Sequence, residues 1–336
     1  MVERVRTRVM AVDAESPQEE VIQEAARVIE GGGLVAMPTE TVYGLGGDAL
    51  SEEAVARIFE AKGRPATNPL ILHVASQQQA RELSRSWPEV AKRLYEAFWP
   101  GPLTLVVRRA PQVPDAVTAG LDTVAIRMPA HPVARALIEA ARRPIAAPSA
   151  NRYTQVSPTT AEHVRAGLDG RVDLILDAGP TEVGLESTLV SLVEDPPRIL
   201  RPGMIGRAEL GQVVELASGD GKEGRVVDED VPRVSPGLSK RHYSPGARVR
   251  VVDEATFAKL MASPTVEGCA FIGIGDEASV EGVVFLPDEA EGYARRLYAA
   301  LHLVDACDVD EIVVEKPPED DEWEAVHDRL RRAMGR

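Results

Sequence analysis

Pro38-Thr39-Glu40-Thr41-Val42-Tyr43-Gly44-Leu45-Gly46, continued through Lys62-Gly63-Arg64-Pro65 to Asn68 and His73, is the stretch on which the reading of this chain turns. Ahead of it, Gly31-Gly32-Gly33 and the apolar run Leu34 to Met37 predict a short buried strand that Pro38 ends. Hydroxyls, an acid and two glycines follow without an apolar period. They predict a loop at the end of that strand, where α/β folds place ligand sites. Ala54, Val55, Ile58 and Phe59 share one helical face, and Lys62-Gly63-Arg64-Pro65 stops that helix. Two cations on a Gly/Pro loop suit a polyanion, Lys as a point charge and Arg as a planar fork. Each half also has an ordinary structural reading, because Thr/Gly loops are common and cations at a helix end complement its dipole. The spacing excludes two motifs. There is no Walker loop, and Gly44-Leu45-Gly46 lacks the third glycine of a dinucleotide fingerprint.

Residue usage favours a binding site. The chain holds only two asparagines, Asn68 and Asn151, and six lysines against 32 arginines. Asn68 and Lys62 nevertheless fall within seven positions of each other, and Asn151 closes a second polar turn, Pro148-Ser149-Ala150-Asn151, after an apolar run.

The 336 residues predict two domains with a sizeable core, and 44% apolar with 27% charged residues is ordinary for a globular protein. Net charge is −15, of which residues 246–336 carry −10 and the first 245 carry −5. Such an acidic chain is a poor nonspecific nucleic-acid binder, so no stable nucleic-acid partner is expected. Cys269 and Cys307 match neither a metal spacing nor a disulfide framework, which predicts a reducing cytoplasm. No run has the length of a signal peptide core or a membrane span, and no membrane partner is expected.

Ser16-Pro17-x-Glu19 predicts a capping box for a helix whose face is Val21, Ile22, Ala25, Ala26 and Ile29. Further strands are predicted at 70–74, 103–107, 124–127, 145–147, 173–177, 187–193 and 198–200, with helices at 88–98 and 132–142. The fold class is α/β, a twisted mixed-sheet domain over residues 1–210, followed by a linker over 211–246 and a smaller Rossmann-like α/β domain over 247–336. In the last helix, acids at Asp320 to Glu324 precede Arg329, Arg331 and Arg332, a polarity that the helix dipole explains without a functional role.

Further polar segments follow apolar runs at Thr123 to Arg127, Ser157-Pro158-Thr159, Ser187-Thr188 and Arg201-Pro202-Gly203. Their hydroxyls suit a sugar or base edge, and Arg64, Arg127 and Arg201 suit phosphate or carboxylate. Helix capping or turn formation is an equal reading for Ser149 and Ser157, and a structural ion pair is the lesser reading for Arg127. No nucleophile elbow or zinc pattern occurs. The residues by themselves lead to an α/β protein that binds a phosphorylated small molecule.

Together these segments resemble the YrdC-like threonylcarbamoyl-AMP synthase family. Trp99-Pro100-Gly101-Pro102 and Arg127-Met128-Pro129 add to the match. Ser235-Pro236-Gly237-Leu238-Ser239-Lys240-Arg241-His242-Tyr243-Ser244-Pro245 resembles the linker of the family's long, two-domain form, with Leu238-Ser239 departing from the usual wording. The resemblance covers essentially the whole chain. It implies a nucleotidyltransferase that converts L-threonine, bicarbonate and ATP, with Mg²⁺, to threonylcarbamoyl-AMP and pyrophosphate. A separate tRNA threonylcarbamoyl transferase complex would then modify adenosine 37 of tRNAs reading ANN codons. By resemblance, Thr41, His73, Arg127, Ala147 and Ser187 surround threonine. Lys62, Arg64, Asn68, Thr123, Ser149, Asn151, Ser157, Arg201 and Tyr243 surround ATP, with Lys62 and Arg64 as the catalytic cations and no protein-held metal. The linker is expected to close over the nucleotide through Tyr243. Two rivals are a carbamoyl-adenylate-forming enzyme and an RNA-binding or ribosome-maturation module; the charge and the 4% aromatic content disfavour the second.

Overall fold

The computed structural model describes residues 5–218, 243–262, 268–275 and 282–335. The first sheet contains β1 (Arg8–Ala11), β2 (Val35–Met37), β3 (Gly44–Asp48), β4 (Ile71–His73), β5 (Leu103–Arg108), β6 (Thr123–Arg127), β7 (Ile145–Ala146), β8 (Leu174–Asp177), β9 (Thr188–Ser191) and β10 (Arg198–Arg201). The second contains β11 (Arg248–Val252), β12 (Cys269–Ile274), β13 (Val283–Leu286) and β14 (Glu311–Glu315). The helices are α1 (Glu19–Glu30), α2 (Glu52–Lys62), α3 (Gln77–Glu82), α4 (Glu89–Phe98), α5 (Asp115–Thr118), α6 (Pro132–Ala141), α7 (Ala161–Leu168), α8 (Arg207–Val213), α9 (Glu254–Met261), α10 (Ala290–Asp305) and α11 (Glu324–Ala333).

The first sheet is mixed, in the order β1-β8-β2-β3-β7-β4-β6-β5-β9-β10. Alternate side chains divide it into two faces. Leu34, Leu45, Leu72, Leu105 and Ile126 join one core with α2, α4, α7 and α8. Val35, Met37, Ile145 and Leu174 join another with α1 and α6. Ile22 and Ile29 of α1 are almost fully buried there, each worth about 1.5–3 kcal/mol of apolar burial. These two helices cover only part of their face. Toward β4, β6, β5 and β9 the face carries a smaller patch, Ile71, Val106, Ala125 and Leu189, and beside it lies the cleft.

Register decides which side chains meet over that cleft. His73 pairs Arg127, Arg127 pairs Thr104, Thr104 pairs Leu189 and Leu189 pairs Arg201. Residues directly opposed on neighbouring strands share a face. One row across β4, β6, β5, β9 and β10 therefore presents His73, Arg127 and Arg201 to the same side.

The second domain is an all-parallel sheet, β11-β14-β12-β13. Phe257, Phe271 and Val313 pack with α9 on one face. Ala270, Ile272, Ile312 and Val314 face α10 and α11 on the other, and that core continues into Val42, Val156 and Leu185 of the first domain. The mixed sheet and the small parallel α/β layer are the expected classes. Helix α8 runs through the expected domain boundary at residue 210.

Three local expectations are corrected. The capping box does not form, because α1 starts at Glu19 after Gln18 without a side-chain cap, while the Ser16 N–H donates to Asp13 Oδ1 instead. Gly44 to Gly46 is not loop: it opens β3, antiparallel to β2. A Cβ at Gly46 would lie 2.8 Å from Ile145 Cγ2, and one at Gly47 3.2 Å from Ile58 and Leu34, so this strand is glycine-rich because its neighbours approach closely. Arg329 is not a dipole residue on a solvated helix end, since its side chain is fully buried.

Candidate active site

Pro38 ends β2, and the turn to β3 is tied by its own hydroxyl. Thr39 Oγ1 donates to the Val42 carbonyl at 2.6 Å and accepts from the Thr41 and Val42 amides at 3.2 Å. That leaves the Thr41 hydroxyl at 2.8 Å from Arg127 Nη1, which donates to it. Arg127 Nη2 meets Glu40 Oε1 at 2.7 Å, both side chains being 5% exposed. Arg127 is therefore an ion-paired arginine on the cleft wall, and Glu40 is a partner that sequence reasoning missed. The adjacent hydroxyls at 39 and 41 drew attention past the acid between them.

The cavity in this cleft is small, about 50 Å³, below the usual range of small-molecule sites. Thr41, Arg64, His73, Arg127, Ala147, Ser149, Ser187, Arg201 and Tyr243 line it, with Glu186. Burial, helped by the Arg127 charge, pushes the His73 imidazole down to about 3, so it is neutral. Arg64 reaches the cleft past the left-handed Gly63 that ends α2, and its Nη2 donates to the Pro69 carbonyl at 2.9 Å. Arg201 donates to the Ser187 carbonyl through Nε at 3.2 Å and Nη2 at 2.9 Å. Gly203 lets that segment lie flat against the 187–188 turn, because a Cβ there would sit 2.4 Å from the Thr188 nitrogen. Ser187 Oγ and Thr104 Oγ1 are 2.7 Å apart.

Four expected residues stand one layer behind the wall. Lys62 Nζ donates to the carbonyls of Ser149 at 2.5 Å and Asn151 at 2.6 Å. Burial holds its ammonium well below the usual range; the Arg64 charge adds to this and Glu186 opposes it. Asn151 Nδ2 donates to the Arg152 and Gln155 carbonyls, shaping the turn. Asn68 Nδ2 donates to Tyr153 Oη at 3.1 Å. Ser157 Oγ donates to Glu186 Oε1 at 2.6 Å. Thr123 starts β6, four residues from Arg127, about 13 Å along the strand, and is not brought to the cleft.

Tyr243 is 1% exposed and reaches the cleft with a left-handed backbone, φ 58°. Its ring lies 5.7 Å from that of Tyr298 and 5.5 Å from the Arg329 guanidinium carbon. Residues 219–242 of the expected linker lid lie outside the described residues. Among the described residues no helix is long and apolar enough to cross a membrane.

Three arginines, hydroxyls and a neutral imidazole around a cleft in a mixed sheet suit an anionic ligand. A family model described as "Telomere recombination" matches residues 27–203, and one described as "Threonylcarbamoyl-AMP synthase, C-terminal domain" matches 205–335. The chain is 46% identical to the threonylcarbamoyl-AMP synthase of Pyrococcus abyssi, covering 94% of each chain. It is 41% identical to that of Bacillus subtilis, covering 96% of this chain and 95% of that one. The crystal structure of P. abyssi Sua5 complexed with L-threonine superposes with a TM-score of 0.88 at 43% identity, covering 98% of both chains. The chain belongs to the threonylcarbamoyl-AMP synthase family, enzymes of the nucleotidyltransferase type.

Proposed function

We propose that this cleft joins L-threonine, bicarbonate and ATP into threonylcarbamoyl-AMP with release of pyrophosphate. The observation that carries the reading is the convergence of Arg64, Arg127 and Arg201 with the hydroxyls of Thr41, Ser149 and Ser187 and a neutral His73 on one wall. Threonine's amine bonds to the bicarbonate carbon with loss of water, which gives a carbamate, already an anionic nucleophile. It attacks the α-phosphorus, the bond to the bridging oxygen breaks, and pyrophosphate departs. Such a transfer asks for positioning and charge stabilisation more than for a strong side-chain base.

In this reading Arg127, oriented by Glu40, takes the threonine carboxylate, with Thr41, His73, Ala147 and Ser187 around the amino acid. Arg64, Arg201, Ser149 and Tyr243 face the nucleotide. Lys62, Asn68, Asn151 and Ser157 support that wall from behind, and Lys62 acts by bracing the Ser149–Asn151 turn. Thr123 has a place only for a ligand that extends along β6. Among the described residues Glu186 is the one carboxylate on the cleft wall, and it is already bonded by Arg329, Tyr298 and Ser157. That donor set does not fit a protein-held Mg²⁺. The ion would instead enter on the phosphates, with water completing its shell. The product is a mixed anhydride, so a cytoplasmic tRNA threonylcarbamoyl transferase complex must consume it before water does.

The test is incubation with ATP, Mg²⁺, bicarbonate and threonine, with pyrophosphate and the adenylate followed by mass spectrometry. Release should require both threonine and bicarbonate. Equal release without either one would refute the reaction.

A further inference from the structure

Helix α11 of the second domain sends one side chain into the first. Arg329 Nε donates to Glu186 Oε2 at 2.8 Å and Nη2 to the Glu186 carbonyl at 3.2 Å. Nη1 donates to the Pro202 carbonyl at 2.9 Å and to Asp328 Oδ2 at 2.8 Å. Tyr298 of α10 donates its hydroxyl to Glu186 Oε2 at 3.0 Å, and Ser157 fills Oε1 at 2.6 Å. One guanidinium thus ties the residue before Ser187 to the residue after Arg201.

Among the described residues, Glu186 is the carboxylate of a cleft whose other charged wall residues are Arg64, Arg127 and Arg201. Burial works to raise its pKa, but the Arg329 and Arg201 charges and the Ser157 hydroxyl hold it below the ordinary carboxylate value. It is charged, and a charge there has two places to go. With Arg329 present its oxygens are bonded away from the cleft. Without Arg329 the main remaining charge acting on it is that of Arg201, and a buried unpaired carboxylate seeks a partner. Pairing with Arg201 would neutralise a cation that faces an anionic ligand.

We infer that Arg329, with Tyr298, is a positioning residue supplied by the second domain: it holds Glu186 off Arg201 and so keeps Arg201 directed at an anionic substrate. This rests on the proposed reaction only for the choice of ATP as the anion.

The experiment is a calorimetric titration of the full chain with ATP, and separately with threonine, for wild type, Arg329→Gln, Glu186→Gln with Arg329→Gln, and Tyr298→Phe. Arg329→Gln should weaken ATP binding by about tenfold or more, the effect of one lost charged contact. The double variant should regain most of that loss, because neutralising Glu186 removes the need for its counter-ion. A double variant as weak as the single one, with intact circular dichroism, would make Arg329 a domain fastener and overturn the inference. Tyr298→Phe removes one hydroxyl at constant volume, so it reports even if Arg329→Gln fails to fold. ATP binding should weaken a few-fold, about the worth of one hydrogen bond, with threonine binding unchanged, whereas unchanged ATP binding would count against the role. Wild type that binds ATP but forms no adenylate would refute the proposed reaction and leave this role standing. Wild type that binds no ATP would refute both.

Discussion

Arg201 and Arg64 each combine a backbone bond with a place on the cleft wall, so their removal acts on ligand and loop together. Substitution of either by Ala should cost about 2–4 kcal/mol of transition-state stabilisation, read as kcat/KM against an unchanged far-ultraviolet spectrum. Turnover near wild type would make them structural. Arg127 presents one nitrogen to Glu40 and another to Thr41. Lys has no fork to serve both, so Arg127→Lys should raise the KM for threonine more than that for ATP. A defect confined to ATP would move Arg127 to the phosphates. The arginines were legible in the sequence because a chain rich in Arg still placed them on polar turns after apolar runs. Glu40 and Glu186 were not. An acid next to hydroxyls has many uses, and only burial beside a distant cation distinguishes these two.

At the scale of elements, helices α7 and α10 meet through His163 and His302, whose rings stack with centroids 4.0 Å apart. His163 Nδ1 accepts from the Thr159 amide at 3.4 Å, and His302 Nε2 donates to the Ser157 carbonyl at 3.1 Å. Burial, and then the His302 charge, hold the His163 imidazole down to about 4. Burial also lowers His302, against the pull of the Ser157 carbonyl and Asp305. In the unfolded chain both take up protons near 6.5. Between about 6.5 and about 4 the unfolded chain binds more protons, so stability falls as pH falls, and the His163 share stops growing below about 4. His163→Gln should flatten the dependence of Tm on pH in that window. An unchanged slope would show that the stack does not titrate with folding. Most helices were legible from their apolar faces, and α2 also from its C-terminal stop, with Gly63 at φ 64°. Strand β3 was not, because glycines carry no period to read.

At the scale of the whole molecule, the two sheets share an apolar core through Val42, Val156 and Leu185. The contact is close at Gly184, φ 79°, where a Cβ would come within 2.5 Å of the Arg295 carbonyl oxygen. Arg295 Nε in turn donates to the Glu182 carbonyl at 2.6 Å. Gly184→Ala should therefore lower stability by about 1–3 kcal/mol from overpacking, seen as a lower Tm by calorimetry, with turnover falling as the 182–187 loop shifts. Wild-type Tm and turnover would mean that the domains tolerate separation at this point.

The amino-acid sequence alone determined the α/β class, the two-domain order and the polar turns that reach the cleft. Apolar periodicity, Gly/Pro punctuation and sparing use of Asn and Lys are local signals. Which of those turns converge was decided by strand register, because His73, Arg127 and Arg201 become neighbours only through pairings among five strands. The burial of Arg329 was likewise a tertiary outcome. On its own helix it is a cation near a C-terminus, and its partner Glu186 lies 143 residues away. A charge that far off leaves no mark on local pattern, since only packing of the two domains removes the water that would otherwise solvate both.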